Sequence, residues 1–164
     1  MNKLLLALIL FATSTCFAQK SEINELIEAA NDGSKNSNYN LGVIYSNGHG
    51  VKKNLALANK YYFIAAEMNF APAQNNLGWS YREGLGVPVN PLEAIYWFRL
   101  SALQGNALAL QNLAEMYLAG EGVARQPAVA ETFYTLCATQ VVINEESIVK
   151  ESGINNAIHE CRRE

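Results

Sequence analysis

The sequence has few of the side chains on which hydrolytic catalysis usually depends. Asp32 is its only aspartate, and His49 and His159 are its only histidines. A Ser-His-Asp triad could therefore combine only this aspartate with one of two histidines in turn or terminal positions. Glutamate pairs are the remaining acid–base route, but the adjacent Glu145 and Glu146 would point apart on a helix. We therefore expect a protein that is not an enzyme and has no catalytic residue.

Ligands for a metal are equally scarce. His49 stands between two glycines with no cysteine or aspartate nearby, and His159 and Cys161 are close in sequence but lack the number of ligands that zinc needs. A structural zinc site needs four such ligands. We expect neither a metal nor a cofactor.

Basic charge is also low for a nucleic-acid-binding protein. The chain has 12 lysines and arginines against 15 acidic residues, a formal net charge of −3. Nucleic-acid-binding proteins usually carry a concentrated basic surface that displaces counterions from phosphates. No such concentration is evident, so we expect no nucleic-acid partner.

Only one long apolar run occurs, and it lies at the N-terminus. Lys3 precedes an apolar stretch over residues 4–12, and a small-residue region follows, which is the pattern of a signal peptide over residues 1–18. We predict cleavage after Ala18, giving a periplasmic or secreted protein with no stable membrane insertion after signal removal. Lipoprotein anchoring through Cys16 is the less favoured alternative, because a threonine precedes the cysteine where a smaller residue is usual.

The rest of the sequence is built from a repeated unit. A shift of 36 residues superposes three segments, 36–70, 71–106 and 107–140, without an insertion. The coinciding sets include Leu41, Leu77 and Leu113; Tyr45, Tyr81 and Tyr117; Gly48, Gly84 and Gly120; Val51, Val87 and Val123; Ala66, Ala102 and Ala138. The register extends backward, so residues 19–35 are predicted to form an N-terminal half-repeat that caps the array.

Each unit contains two helical patterns. In the middle unit Ala73, Leu77 and Tyr81 recur at four-residue spacing and predict one apolar helix face. The second helix of that unit begins after Asn90, a good N-cap residue, with Pro91 at the first helical position. Aromatic clusters recur on the second helices at one period, as expected of core packing between units. The predicted fold class is therefore an all-α solenoid of helix-turn-helix repeats.

The stretch "REGLGVPVNP" over residues 82–91 has two glycines in a spacing that can also cradle a phosphate. Equivalent glycine pairs occur in all three units, after one helix and before the next, with no strand before them. A phosphate-binding loop normally follows a strand. The glycines are therefore predicted to end the first helix of each unit and form the turn.

These residues make the chain resemble the Sel1-like repeat family, relatives of tetratricopeptide repeats with a slightly longer unit. The family pattern is roughly A-x-A-Q-x-x-L-G-x-x-Y-x-x-G-x-G-V, followed by an Asp or Asn and K-A-x-x-W-[YF]-x-x-A-A-x-x-G. "APAQNNLGWSYREGLGVPVNPLEAIYWFRLSALQG" matches it almost position by position. The departures are Tyr61 and Phe133 for tryptophan, Ala114 for glycine and Gln126 at the helix cap. The resemblance implies a right-handed α-solenoid with a concave surface, in a family of adaptors and regulators.

If the first helices line the inner curve, as the resemblance implies, the side opposite the buried line forms a candidate partner-binding strip. Its nine members, called the strip below, are Tyr39, Val43, Ser46, Asn75, Trp79, Arg82, Gln111, Glu115 and Leu118. Tryptophan, tyrosine and arginine often anchor interfaces. The alternative for any one of these residues is an ordinary solvated helix face.

Residues 141–164 leave the repeat register and are predicted to form a C-terminal capping helix; a partner-binding helix is the alternative. Cys161 lies in this segment, and Cys137 lies on the last repeat. Removal of the signal peptide, which contains Cys16, would leave these two cysteines, and an even count in an oxidising compartment favours a Cys137–Cys161 disulfide over two buried thiols.

The leading hypothesis is an exported, monomeric, non-enzymatic module that binds a protein or peptide partner on its concave face. Within the same class, an immunity protein that neutralises a delivered bacterial toxin is an alternative. A cell-wall or β-lactam hydrolase, a claim attached to relatives with a disulfide in each repeat, and a structural envelope component are the alternatives from other classes.

Overall fold

The computed structural model describes residues 20–139, and every regular element in this range is a helix. The seven helices are α1 (20–31), α2 (Lys35–Asn47), α3 (Leu55–Glu67), α4 (Ala71–Glu83), α5 (Pro91–Leu103), α6 (Ala107–Ala119) and α7 (Pro127–Thr139). The predicted signal peptide, 1–18, and the predicted capping helix, 141–164, lie outside the described residues.

The helices form pairs α2–α3, α4–α5 and α6–α7, and α1 precedes the first pair. From α2 to α7 each helix packs against the next along the chain, as in a stack of helix pairs. The all-α solenoid fold is therefore confirmed. Within residues 20–139, no helix is both long enough and apolar enough to span a membrane.

Glycine ends the first helix of every pair. Gly48, Gly84 and Gly120 have φ of 79°, 70° and 79°, the left-handed conformation that glycine adopts without a steric penalty. Each is the C-cap residue of its helix, and its N–H donates to the carbonyl of the residue four positions earlier. The prediction that these glycines are turn residues is confirmed.

The second glycine of the turn in the second and third pairs has a further role at the junction between pairs. A Cβ on Gly86 would lie 2.6 Å from the carbonyl carbon of Leu55, and one on Gly122 would lie 2.7 Å from Cβ of Pro91. Both neighbours begin the second helix of the preceding pair. These glycines therefore let the turn of one unit approach the backbone of the unit before it.

The second helices of the first two pairs, α3 and α5, also begin and end as predicted. Side chains of Asn54 and Asn90 accept hydrogen bonds from the backbone N–H groups of the next turn. Asn69, at φ 56°, adopts the left-handed conformation after α3, as Gly33 does after α1 and Gly105 does after α5. The backbone therefore ends α1, α3 and α5 in the same way.

The core depends on glycine inside the first helices as well. A Cβ on Gly78 would lie 2.7 Å from the ring of Phe98, and one on Gly42 would be closer still to the ring of Tyr62. Both aromatic side chains are buried. In the third unit alanine stands at this position, and the equivalent aromatic, Tyr134, is exposed. Because Gly42 and Gly78 have no side chain, the aromatic ring of the partner helix packs directly against the helix backbone.

Candidate partner-binding surface

The strip has three members on each of α2, α4 and α6, since its positions repeat with the 36-residue unit. Trp79, Gln111 and Leu118 are exposed, and the other six side chains are half-buried. The structure therefore places the exposed members of the strip on α4 and α6. Whether the strip lies on a concave face stays a prediction.

The α2 members of the strip make packing contacts within the chain. The Tyr39 ring lies 5.9 Å from the Tyr62 ring and 5.3 Å from the Phe70 ring, centroid to centroid. Val43 packs against the same buried cluster. Ser46 Oγ donates to the Val43 carbonyl at 2.9 Å and lies 3.2 Å from the Tyr62 hydroxyl. This part of the strip is thus tied into the core.

Arg82 connects α4 to the next helix pair. Its Nε and Nη2 donate to the two carboxylate oxygens of Glu121 at 2.8 and 3.0 Å, and its Nη1 donates to Glu115 Oε2 at 2.9 Å. The Arg82 side chain is only 13% exposed, whereas the two carboxylates are 36% and 37% exposed. Arg82 is therefore an internal bridge, and a direct partner contact by it stays a prediction.

The electrostatics of this bridge favour the charged forms of both groups. Hydrogen bonding from Arg82 lowers the pKa of the Glu121 carboxyl, with burial opposing and the charge attraction assisting. The same contact with Glu121 raises the pKa of Arg82. Both groups are consequently ionised near neutral pH.

Trp79 is held beside this bridge. The Arg82 guanidinium carbon lies 5.6 Å from the centre of the Trp79 ring, within cation–π range. The polar network continues along α6, where the Gln111 amide donates to the Glu115 carboxylate at 3.2 Å. Asn75 accepts from the neighbouring Asn112 amide at 3.1 Å. Trp79 is therefore an exposed tryptophan on a surface whose neighbouring side chains are held by hydrogen bonds and ion pairs.

A cleft of about 310 Å³ opens between the first two helix pairs, and Ser46 and Trp79 both line it. The remaining lining residues are Asn47, Lys53, Leu55, Ala58, Asn59, Tyr62, Asn76, Ser80 and Leu85. The sequence does not predict this cleft, because the recurrence of aromatic residues on the second helices, Tyr62 among them, indicates core packing. The sequence feature that could indicate the cleft is a difference between units, because the short side chain of Ser46 stands where the next unit has the long side chain of Arg82.

The floor of the cleft is polar although it is buried. Tyr62, Asn59 and Ser80 are each almost fully covered. Burial raises the pKa of the Tyr62 hydroxyl, and hydrogen bonds from Ser46 and Asn76 oppose this shift. Asn59 donates to the Leu85 carbonyl and Ser80 to the Asn76 carbonyl. The buried part of the lining thus presents neutral hydrogen-bonding groups, and Lys53 is the charged residue of the lining.

Residues with possible reactive chemistry are dispersed in the part of the chain that the structure describes. His49 is exposed in a turn. Between residues 20 and 139, no group of three or more His, Cys, Asp or Glu side chains is placed to hold a metal ion. Cys137 is half-buried, with its thiol 3.5 Å from the Ala107 carbonyl. Cys161 lies outside the described residues, so the Cys137–Cys161 disulfide stays a prediction.

Comparison with known proteins identifies the repeat. The sequence model of the Sel1 repeat family matches residues 36–70, 71–106 and 107–140. A search of curated protein sequences gives no match.

Two solved structures have similar folds. One is a protective antigen present in uropathogenic Escherichia coli strains that displays an SLR fold, with 39% identity and a TM-score of 0.69. The match covers 70% of this chain and 25% of that one. The other is a Sel1 repeat protein from Oxalobacter formigenes, with 28% identity and a TM-score of 0.69, covering 88% of this chain and 58% of that one. The chain therefore spans only part of the length of either relative.

Proposed function

Because the chain belongs to the Sel1 repeat family, we propose that it is an exported protein-interaction module that binds a protein or peptide partner through the strip. Sel1 repeats generally mediate protein–protein interaction and serve as non-catalytic scaffolds. The proposal extends this general role to a particular surface, to a non-enzymatic function and to a location outside the cytoplasm.

The observation that carries the proposal is the setting of Trp79. Its side chain is 40% exposed, yet a guanidinium bound by two carboxylates lies beside its ring. Tryptophan on a rigid surface supplies a large contact area at low conformational cost, which is typical of interface anchors. Leu118, a strip member on the next first helix, is also an exposed apolar side chain.

Export is supported by the N-terminal sequence alone. The lysine, the apolar run and the small residues before Ala18 form the pattern of a cleaved signal peptide. Fractionation of cells that produce the C-terminally tagged chain tests this point. We expect a periplasmic or secreted product whose N-terminus is Gln19; an uncleaved cytoplasmic product would contradict export.

Capture of partners from periplasmic extract tests the binding surface. The tagged chain is compared with Trp79→Ala and with Phe63→Ala, which removes an aromatic side chain of similar exposure from α3. We expect partner retention to fall at least tenfold for Trp79→Ala, because a central aromatic anchor contributes about 2 kcal/mol or more. Phe63→Ala should retain the partner.

Helical circular dichroism and thermal unfolding of both variants confirm that the fold is intact. Equal partner retention by wild type and Trp79→Ala would overturn the proposed surface. Loss of partner retention with Phe63→Ala but not with Trp79→Ala would place the binding surface on the second helices.

A further inference from the structure

The cleft between the first two helix pairs has an equivalent between the second and third pairs, and the two differ in how they are filled. Ser46 corresponds to Arg82 one period later, Trp79 to Glu115, and Leu85 to Glu121. Arg82 reaches both of these glutamates. At the second junction the chain therefore fills the position with its own arginine side chain.

At the first junction the chain leaves this position open. Ser46 is too short to cross it, and the cleft of about 310 Å³ remains. Its two walls are Trp79 and Leu85 in place of the two glutamates. A long side chain from outside could therefore occupy the space that Arg82 occupies one unit later.

The charge of the cleft indicates which side chain fits. Among the described residues that line it, Lys53 is the only one with an ionised side chain, and none is acidic. The position of Lys53 is taken by Val89 at the next junction. The electrostatic preference is thus reversed, from a cation between two carboxylates to a site with one ammonium group.

We propose that this cleft receives an acidic side chain of glutamate length from a partner peptide. Its methylene groups lie against Trp79 and Leu85, and its carboxylate faces Lys53 and the neutral polar groups around Asn76. This inference rests on the proposed function and specifies the chemistry that the partner must carry.

Nuclear magnetic resonance titration of the full chain tests the inference with three peptides: acetyl-Gly-Glu-Gly-amide, acetyl-Gly-Gln-Gly-amide and acetyl-Gly-Lys-Gly-amide. The indole N–H of Trp79 reports occupancy of the cleft. We expect a saturable shift with the glutamate peptide and affinity about threefold to fivefold weaker with the glutamine peptide, as is typical of an exposed ion pair. The lysine peptide should give no saturable shift.

Three variants distinguish the cleft from other sites. Ser46→Arg introduces the side chain found at the next junction and should block the glutamate peptide. Lys53→Gln should remove the preference for glutamate over glutamine, whereas Lys52→Gln, which changes an exposed lysine outside the lining, should preserve it.

Absence of a saturable shift with the glutamate peptide, equal binding of the lysine peptide, or an unchanged preference in Lys53→Gln would overturn the inference. If Ser46→Arg does not fold, the peptide preference of Lys53→Gln still tests the inference. Partner capture that depends on Trp79 but is unaffected by Lys53→Gln would leave the proposed function standing and refute the cleft assignment.

Discussion

Replacement of Arg82 by methionine provides a quantitative prediction, because it removes the guanidinium while keeping a long apolar stem. The wild-type side chain makes three charge-assisted hydrogen bonds to Glu121 and Glu115. Loss of one partner of a fully buried ion pair costs about 3–5 kcal/mol, whereas exposed pairs contribute about 0–1 kcal/mol. With Arg82 13% exposed and both carboxylates more than one third exposed, we expect a loss of about 2 kcal/mol.

Urea denaturation monitored by circular dichroism measures this loss, and Arg99→Met is the matched control. Arg99 is half-buried on α5 and has no ion pair within the described residues, so its replacement should change stability by less than about 0.5 kcal/mol. A double-mutant cycle of Arg82→Met with Glu121→Gln should give a coupling of about 1 kcal/mol. An Arg82→Met loss below about 0.5 kcal/mol, or zero coupling, would refute the bridge.

Three further predictions concern packing, pH and redox state. Gly78→Ala should destabilise the chain by about 1 kcal/mol in urea denaturation, because crowding against the Phe98 ring outweighs the helix propensity gained; a stabilised variant would contradict this. The pKa of Glu121 is lowered in the folded state, so its contribution is complete above its ordinary pKa and is lost as pH falls through the folded value. Glu121→Gln should therefore weaken the acid dependence of unfolding below about pH 4.5, and an unchanged pH profile would exclude this contribution. Finally, thiol labelling of the exported protein should modify Cys137 and Cys161 only after reduction; labelling without reductant would exclude their disulfide.

The repeat fold was predictable from the sequence because its determinants are local and recur at one period. Glycines that adopt positive φ, asparagines that cap the second helices and small residues under aromatic rings all appear as coinciding positions. Only the second role of Gly86 and Gly122, close approach to the preceding unit, required the stacked structure.

The candidate site was less predictable because its contacts cross between units. Arg82 stands on the side of α4 opposite the buried line, which suggested a free anchor. Its partners are 33 and 39 residues away, and only the stacking of helix pairs brings them within reach. The cleft depends on residues that differ between units, Ser46 and Lys53, whereas the repeat is defined by residues that coincide between units.

Site-specific photocrosslinking in cells tests the central claim, binding through the strip, most directly. A photoreactive amino acid is placed at Gln111 or Leu118, exposed strip positions, and at Met68 or Leu92, exposed positions outside the strip. We predict that the strip positions give a discrete adduct with a partner protein and that the other two do not. Adducts from Met68 or Leu92 alone, or from none of the four positions, would contradict the claim.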